Sequence, residues 1–171
     1  MRPLVVLVGA PGAGKTTVGR ALADRWGVSF RDTDADVEAL AHRTIAEIFV
    51  QQGEPAFREL EHQAVAAALT DHDGVLALGG GAVLHPDTRR QLAGQQVLWL
   101  RVSLADAASR VGMNTARPLL LGNVRAQLGS MLAERSAWYA EVATAVVDTD
   151  GRTPDEVVDA AVAALDPAVR R

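Results

Sequence analysis

The sequence predicts an α/β domain in three layers, a five-stranded parallel sheet with helices on both faces, and three observations point to it. Short apolar runs rich in valine and leucine alternate with longer segments of helical period, the pattern of βαβ units around a sheet buried on both faces. The first run, LVVLV, leads directly into the glycine-rich stretch GAPGAGKTT and then into an amphipathic segment. The length, 171 residues, fits one domain spanning 1–171, since domains typically run to about 100–150 residues.

Taken in order, strands are expected at Leu4 to Val8, Val28 to Arg31, Val75 to Leu78, Val97 to Val102 and Ala145 to Val147. After the glycine loop, Val18, Ala21, Leu22 and Trp26 recur at helical spacing, and Gly27 stops that helix. Thr44 with Glu47, Ser103 with Asp106, and Thr153 with Pro154 and Glu156 mark further helix starts. There a hydroxyl can cap free N–H groups, and a carboxylate follows three residues on. Pro55 and Pro86 open two more, because proline is tolerated in a first turn. Later, Val124, Leu128, Met131 and Leu132 form an apolar stripe whose next place is held by Arg135, followed by Tyr139. The tail after Leu165 is expected to fray.

Composition narrows the function. Hydrophobic residues make up 49% of the chain, enough for a core, and the net charge of −4 speaks against sequence-independent nucleic-acid binding, which needs a basic face. With no cysteine there is neither a disulfide framework nor a thiolate metal site, which fits a reducing cytosol. The N-terminal apolar run is too short for a signal peptide, and nothing approaches the roughly 18 apolar residues of a membrane span. The expectation is a cytoplasmic monomer with a small-molecule partner, no nucleic acid and no membrane.

Gly9, Gly14, Lys15 and Thr16 satisfy G-x-x-x-x-G-K-[ST] in the setting that gives the pattern meaning, a strand before and a helix after. The loop's N–H groups and the helix N-terminus can cradle phosphates. Lys15 can reach the outer ones, and the Thr16 hydroxyl can ligate Mg²⁺. Lys15 is the only lysine among 17 basic residues, so a chain that otherwise uses arginine keeps a compact ammonium at this one place. A single lysine also excludes an N-K-x-D guanine-reading motif. The D-x-x-G matches at Asp71 to Gly74 and Asp148 to Gly151 therefore read as turns, as does DHD at 71 to 73. The histidines at 42, 62 and 85 show no ligand spacing.

An acid for the metal must come from outside the strand before the glycine triplet Gly79, Gly80 and Gly81, because that strand ends in glycine. RDTDAD after the second strand supplies Asp32 and Asp34, at the carboxyl edge where open α/β sheets collect ligands. One can serve Mg²⁺ while the other reaches an acceptor hydroxyl; the alternative is a helix N-cap plus a solvated acid. Asp36 and Glu38 read as surface charges. The triplet marks a close approach of a ligand or of a packed helix. Arg135 points inward and needs an acid or an anionic ligand. Arg58 lies one turn before Glu61 and His62; it either makes a surface ion pair with Glu61 or joins Arg135 in forked recognition of a carboxylate. Arg117, in GMNTARPLLLGN, sits either in an ordinary connector or in a lid that brings a guanidinium to the transferring phosphate.

GAPGAGKTT, DTD, FRELE, LALGGGAV, ARPLL and ERSAWY occur in the order and spacing of the shikimate kinases, and the resemblance covers Leu4 to about Leu165. It implies a three-layer P-loop kinase fold of the nucleoside-monophosphate-kinase type. It further implies ATP- and Mg²⁺-dependent phosphorylation of the 3-hydroxyl of shikimate, on the way to chorismate. On that resemblance Gly12, Ala13, Gly14, Lys15, Thr16 and Thr17 hold the ATP phosphates, with Thr16 and Asp32 serving Mg²⁺. Asp34 meets the ring hydroxyls, Arg58 and Arg135 the carboxylate, and the Gly79, Gly80 and Gly81 backbone the ring. Lys15, Asp34 and Arg117 are the catalytic set, while Arg110, Arg117 and Arg152 lie on the nucleotide side. Residues 33–62 form the acceptor-binding region and about 112–124 the lid. Another small-acceptor kinase, such as a gluconate or nucleotide kinase, is the alternative within enzymes, and a non-catalytic nucleotide-binding switch is the alternative outside them.

Overall fold

The computed structural model describes residues 1–112 and 124–165. Its first half runs β1 (Val5–Val8), α1 (Lys15–Trp26), β2 (Phe30–Asp32), α2 (Thr33–Ala41), α3 (Ile45–Gln52), α4 (Glu54–Asp71) and β3 (Val75–Ala77). After a 3-10 turn at Ala82–Leu84 come α5 (Pro86–Leu92), β4 (Val97–Arg101), α6 (Leu104–Gly112), α7 (Val124–Val142), β5 (Ala145–Asp148) and α8 (Pro154–Ala164).

The five strands form one parallel sheet in the order β2-β3-β1-β4-β5. β1 is its centre, pairing Val6 with Leu76 on one side and with Val97 on the other. Such a strand meets no water on either face. All four of its residues are buried, which is why the sequence shows an unbroken valine and leucine run instead of an alternation. Helices flank the sheet: α1 packs against β3 and α8, and α7 packs against β4 and α6. A second, smaller apolar cluster of Val37, Ile48, Phe57 and Ala64 lies under α2, α3 and α4, with the Phe49 and Phe57 rings 4.8 Å apart. The segment 33–62 therefore carries its own core beside the sheet.

Local chemistry sets the element ends. Thr44 and Glu47 form a reciprocal capping box, and the Thr153 and Ser103 hydroxyls accept from Glu156 N–H and Asp106 N–H, each at 3.2 Å. Pro55 and Pro86 stand in the first turns of α4 and α5, and Gly27 ends α1 in the left-handed region at φ 65°. β2 starts at Phe30, two residues later than expected, because the Val28 N–H still closes on Ala23 O of α1. On α1, Val18 and Leu22 are buried as expected, whereas Ala21 and Trp26 are only partly covered and Gly19 and Ala23 take the innermost places.

Several charges expected on the surface are instead structural. Asp36 pairs with Arg31 at 2.7 Å, and Arg31 also pairs with Asp71 at 2.5 Å; Glu38 accepts from Ile45 N–H at 3.0 Å and so ties α2 to α3. Of the two D-x-x-G stretches expected as turns, Asp148 to Gly151 leaves the end of β5 and turns at Asp150 and Gly151, with Asp148 held by Arg101, whereas Asp71 to Gly74 is the end of α4 and its irregular connection to β3. Among the described residues no helix is long and apolar enough to cross a membrane.

Candidate active site

The carboxyl ends of β1, β2 and β3 meet at one cleft of about 310 Å³, lined by Gly12, Gly14, Lys15, Thr16, Thr17, Asp32, Asp34, Leu78, Gly80 and Arg110. The loop after β1 turns into α1 at Gly14, whose φ of 90° is open to glycine at little cost. α1 then begins at Lys15, and its first residues, Lys15, Thr16 and Thr17, line the cleft. The Lys15 ammonium arches back over this loop and donates to Gly9 O at 2.7 Å and Ala10 O at 3.0 Å. Ala13 is buried, so only its backbone can serve a ligand. Arg110 crosses from α6, donating to Gly12 O at 2.9 Å and to Thr149 Oγ1 and O at 3.4 Å. Arg152 lies in the same β5–α8 loop as Thr149, but its side chain is exposed and does not line the cleft.

β2 ends at Asp32 and α2 begins at once, and this sharp change of direction separates the two acids. Asp32 caps α2 with one oxygen, accepting from Asp34 N–H at 2.9 Å, and with the other accepts from the Thr16 hydroxyl at 3.2 Å. The helix cap and the contact with Thr16 therefore coexist in one carboxylate. Asp34 turns the other way, toward the glycine triplet. A Cβ on Gly79 would stand 2.6 Å from Asp34 Oδ1 and 2.7 Å from Glu61 Oε2, while one on Gly81 would collide with the Arg58 guanidinium. The triplet is thus bare where three charged side chains press on it. Gly80 abuts the phosphate loop, since a Cβ there would lie 2.9 Å from Pro11 Cδ.

The Arg58–Glu61 pair exists at 2.8 Å, yet it is not a surface pair, because Glu61 is only 2% exposed. Burial pushes the Glu61 carboxyl up from its ordinary pKa, against the pull of Arg58, and the negative Asp34 adds to the rise while Arg135 opposes it. The Glu61 carboxyl thus senses both arginines as well as Asp34. Arg135 is 7% exposed, on the stripe of α7 that also buries Leu128 and Tyr139. Two buried polar atoms, Glu61 Oε2 and Arg135 Nε, have no hydrogen-bond partner among the described residues. Orphans of this kind are rare, and both belong to the same polar wall.

Sequence reasoning named Glu61 only as a surface partner for Arg58 and missed Thr33 and Thr149, which are buried and hydrogen-bonded to Gly79 N–H and to Arg110 respectively. A threonine beside an acid carries no periodic signal. It also missed a contact between distant histidines: His62 and His85 stack with centroids 3.9 Å apart, and Asp87 lies within ligand reach of both. One ring nitrogen of each histidine is engaged, His62 Nδ1 with Thr88 Oγ1 and His85 Nδ1 as acceptor from Asp87 N–H, while Asp87 pairs with Arg90, and the stacked rings join α4 to the start of α5. Arg117 and residues 113–123 of the expected lid lie outside the described residues.

A family model described as Shikimate kinase matches residues 11–166. The chain belongs to the shikimate kinase family. A shikimate kinase of Thermobifida fusca is 58% identical over 92% of each chain, and one of Frankia casuarinae is 59% identical over 96% of this chain and 73% of its own. Among solved structures, the shikimate kinase of Acinetobacter baumannii in complex with shikimate superposes with a TM-score of 0.89. It shares 32% identity, covering 95% of this chain and 91% of that one. A shikimate kinase is an ATP-using phosphotransferase, in keeping with a P-loop kinase fold whose phosphate loop shares one cleft with Asp32, Asp34 and Gly80.

Proposed function

We propose that this chain transfers the γ-phosphoryl group of ATP to the 3-hydroxyl of shikimate, giving shikimate 3-phosphate and ADP in the chorismate pathway. The observation that carries this reading is the shared wall between donor and acceptor sites. Gly80 touches Pro11 of the phosphate loop, while its neighbours Gly79 and Gly81 press on Asp34, Glu61 and Arg58.

In this reading the backbone from Gly12 to Thr17 and the Lys15 ammonium hold the triphosphate; Lys15 would exchange its contacts with Gly9 O and Ala10 O for phosphate oxygens. Two hard oxygen donors, Thr16 Oγ1 and Asp32 Oδ2, converge at 3.2 Å, and this donor set fits Mg²⁺. When bound, Mg²⁺ supplies positive charge to the phosphates. Asp34 orients or deprotonates the attacking hydroxyl, which forms the new O–P bond as the bond to ADP breaks. Arg58 and Arg135 grip the acceptor's carboxylate, satisfying the orphaned Arg135 Nε side of the pocket. Arg110 and Arg152 serve the nucleotide, and Arg117 closes over the transferring group as a lid arginine. The enzyme works as a cytoplasmic monomer with small-molecule partners alone.

ADP release measured with a panel of acceptors tests the reading. Shikimate should support turnover at least about a hundredfold faster than gluconate or a nucleoside monophosphate, because a site built for paired polar groups rejects a molecule that leaves them unpaired. Equal or faster turnover with gluconate would overturn it.

A further inference from the structure

Tyr139 stands one turn beyond Arg135 on α7, 1% exposed, with its ring 5.7 Å from that of Trp99. Its hydroxyl donates to the carbonyl of Gly80 at 2.5 Å, the middle residue of the glycine triplet. Burial pushes the phenol up to about 12, so it keeps its proton, and with it the donor role, throughout the physiological range. The Arg135 guanidinium lies beside the same phenol. One hydroxyl thus stands between the arginine on α7 and the backbone of the triplet.

The triplet needs such fixing. Three glycines in a row have the widest choice of backbone conformation, and holding them in one costs more entropy than holding any other residues. At its first residue, the Gly79 N–H donates to the buried Thr33 hydroxyl at 3.3 Å. At its second, Tyr139 takes the carbonyl. The peptide bonds of the triplet are trans, and a trans unit points its C=O and the following N–H in opposite directions. With the Gly80 carbonyl drawn toward α7, the Gly81 N–H is turned away from α7.

We propose that Tyr139 is a positioning residue for the acceptor: its hydroxyl fixes the Gly80 peptide relative to the Arg135 guanidinium, so that ring and acid end are gripped in one register. The inference rests on the acceptor-site reading above and adds a residue to it. Tyr139→Phe removes the hydroxyl, keeps the ring against Trp99 and leaves the Gly80 carbonyl without its donor.

The test is steady-state kinetics and thermal melting of wild type, Tyr139→Phe, and a variant with 4-aminophenylalanine at position 139, which restores an N–H donor in the same place. Tyr139→Phe should lose roughly tenfold in kcat/KM for shikimate, the size expected for one buried hydrogen bond, with KM for ATP changed less than about twofold. The amino variant should recover most of that loss. Unchanged shikimate kinetics in Tyr139→Phe would overturn the proposal. So would equal rises in both KM values, or a loss that the amino variant fails to recover, since a merely structural role gives those results. Wild-type acceptor preference reports on the function reading and the variant-to-wild-type ratio, taken with whichever acceptor is used best, reports on Tyr139, so the two can fail separately.

Discussion

Glu61 concentrates the tension of the site in one carboxyl. It sits 2% exposed, takes Arg58 at 2.8 Å with one oxygen and, among the described residues, leaves the other without a hydrogen bond. Burial and the nearby Asp34 raise its pKa. A carboxyl whose folded pKa lies above its unfolded value favours the folded state below the unfolded pKa. That contribution is lost as pH rises through the folded one. Glutamine at this place does not titrate. The melting temperature of Glu61→Gln relative to wild type should therefore climb as pH is raised from about 4.5 toward neutrality, which paired thermal melts across that range measure. A difference independent of pH would mean that the Arg58 pairing cancels burial. None of this was legible beforehand: the FRELE stretch shows an arginine and a glutamate three residues apart, which is equally the pattern of a solvated helix pair. Only the packing of α4 under the glycine triplet decides which it is.

Elements were legible wherever a local rule settles them. The unbroken runs at β1 and β4, the caps at Thr44 and Thr153, and the prolines at 55 and 86 each fix a start or a buried strand with no knowledge of tertiary neighbours. The turn from Asp32 into α2 was harder, because a strand continuing through Asp34 would have aimed both acids alike. Its outcome depends on the Asp32 side chain closing on the Asp34 N–H, and it gives the two carboxylates separate tasks. Among the helices, α3 has only eight residues and lies over the small cluster of Ile48 and Phe57, so its ends matter. Thr44→Ala breaks the capping box and should cost about 1 kcal/mol, lowering the melting temperature by roughly 2–4 °C in a chain of this size. Calorimetry checks this, and a shift below half a degree would show that α3 is held by packing alone.

At the scale of the molecule, the sheet order brings the site together. β1 lies between β3 and β4, so the phosphate loop emerges beside the glycine triplet that follows β3, and β2 lies next to β3, so Asp32 and Asp34 arrive at the same edge. The chain then adds the 33–62 segment on its own small core, with Arg58 beneath the triplet, and returns much later with α7 to bring Arg135 within electrostatic reach of Glu61. Sequence periodicity foretold the strands and the inward Arg135, but not that Tyr139 and Thr33 would fasten the triplet, because contacts across 59 and 46 residues leave no local trace. The central claim is that the Arg58 and Arg135 guanidinium groups, which both act on Glu61, read the acceptor's acid end. The most direct test compares kcat/KM for shikimate and for its uncharged methyl ester in wild type and in Arg135→Ala. Wild type should prefer the acid by roughly a hundredfold, the worth of a charge-assisted pair, and Arg135→Ala should lose most of that preference. An undiminished preference in Arg135→Ala, or no preference in wild type, would contradict the account.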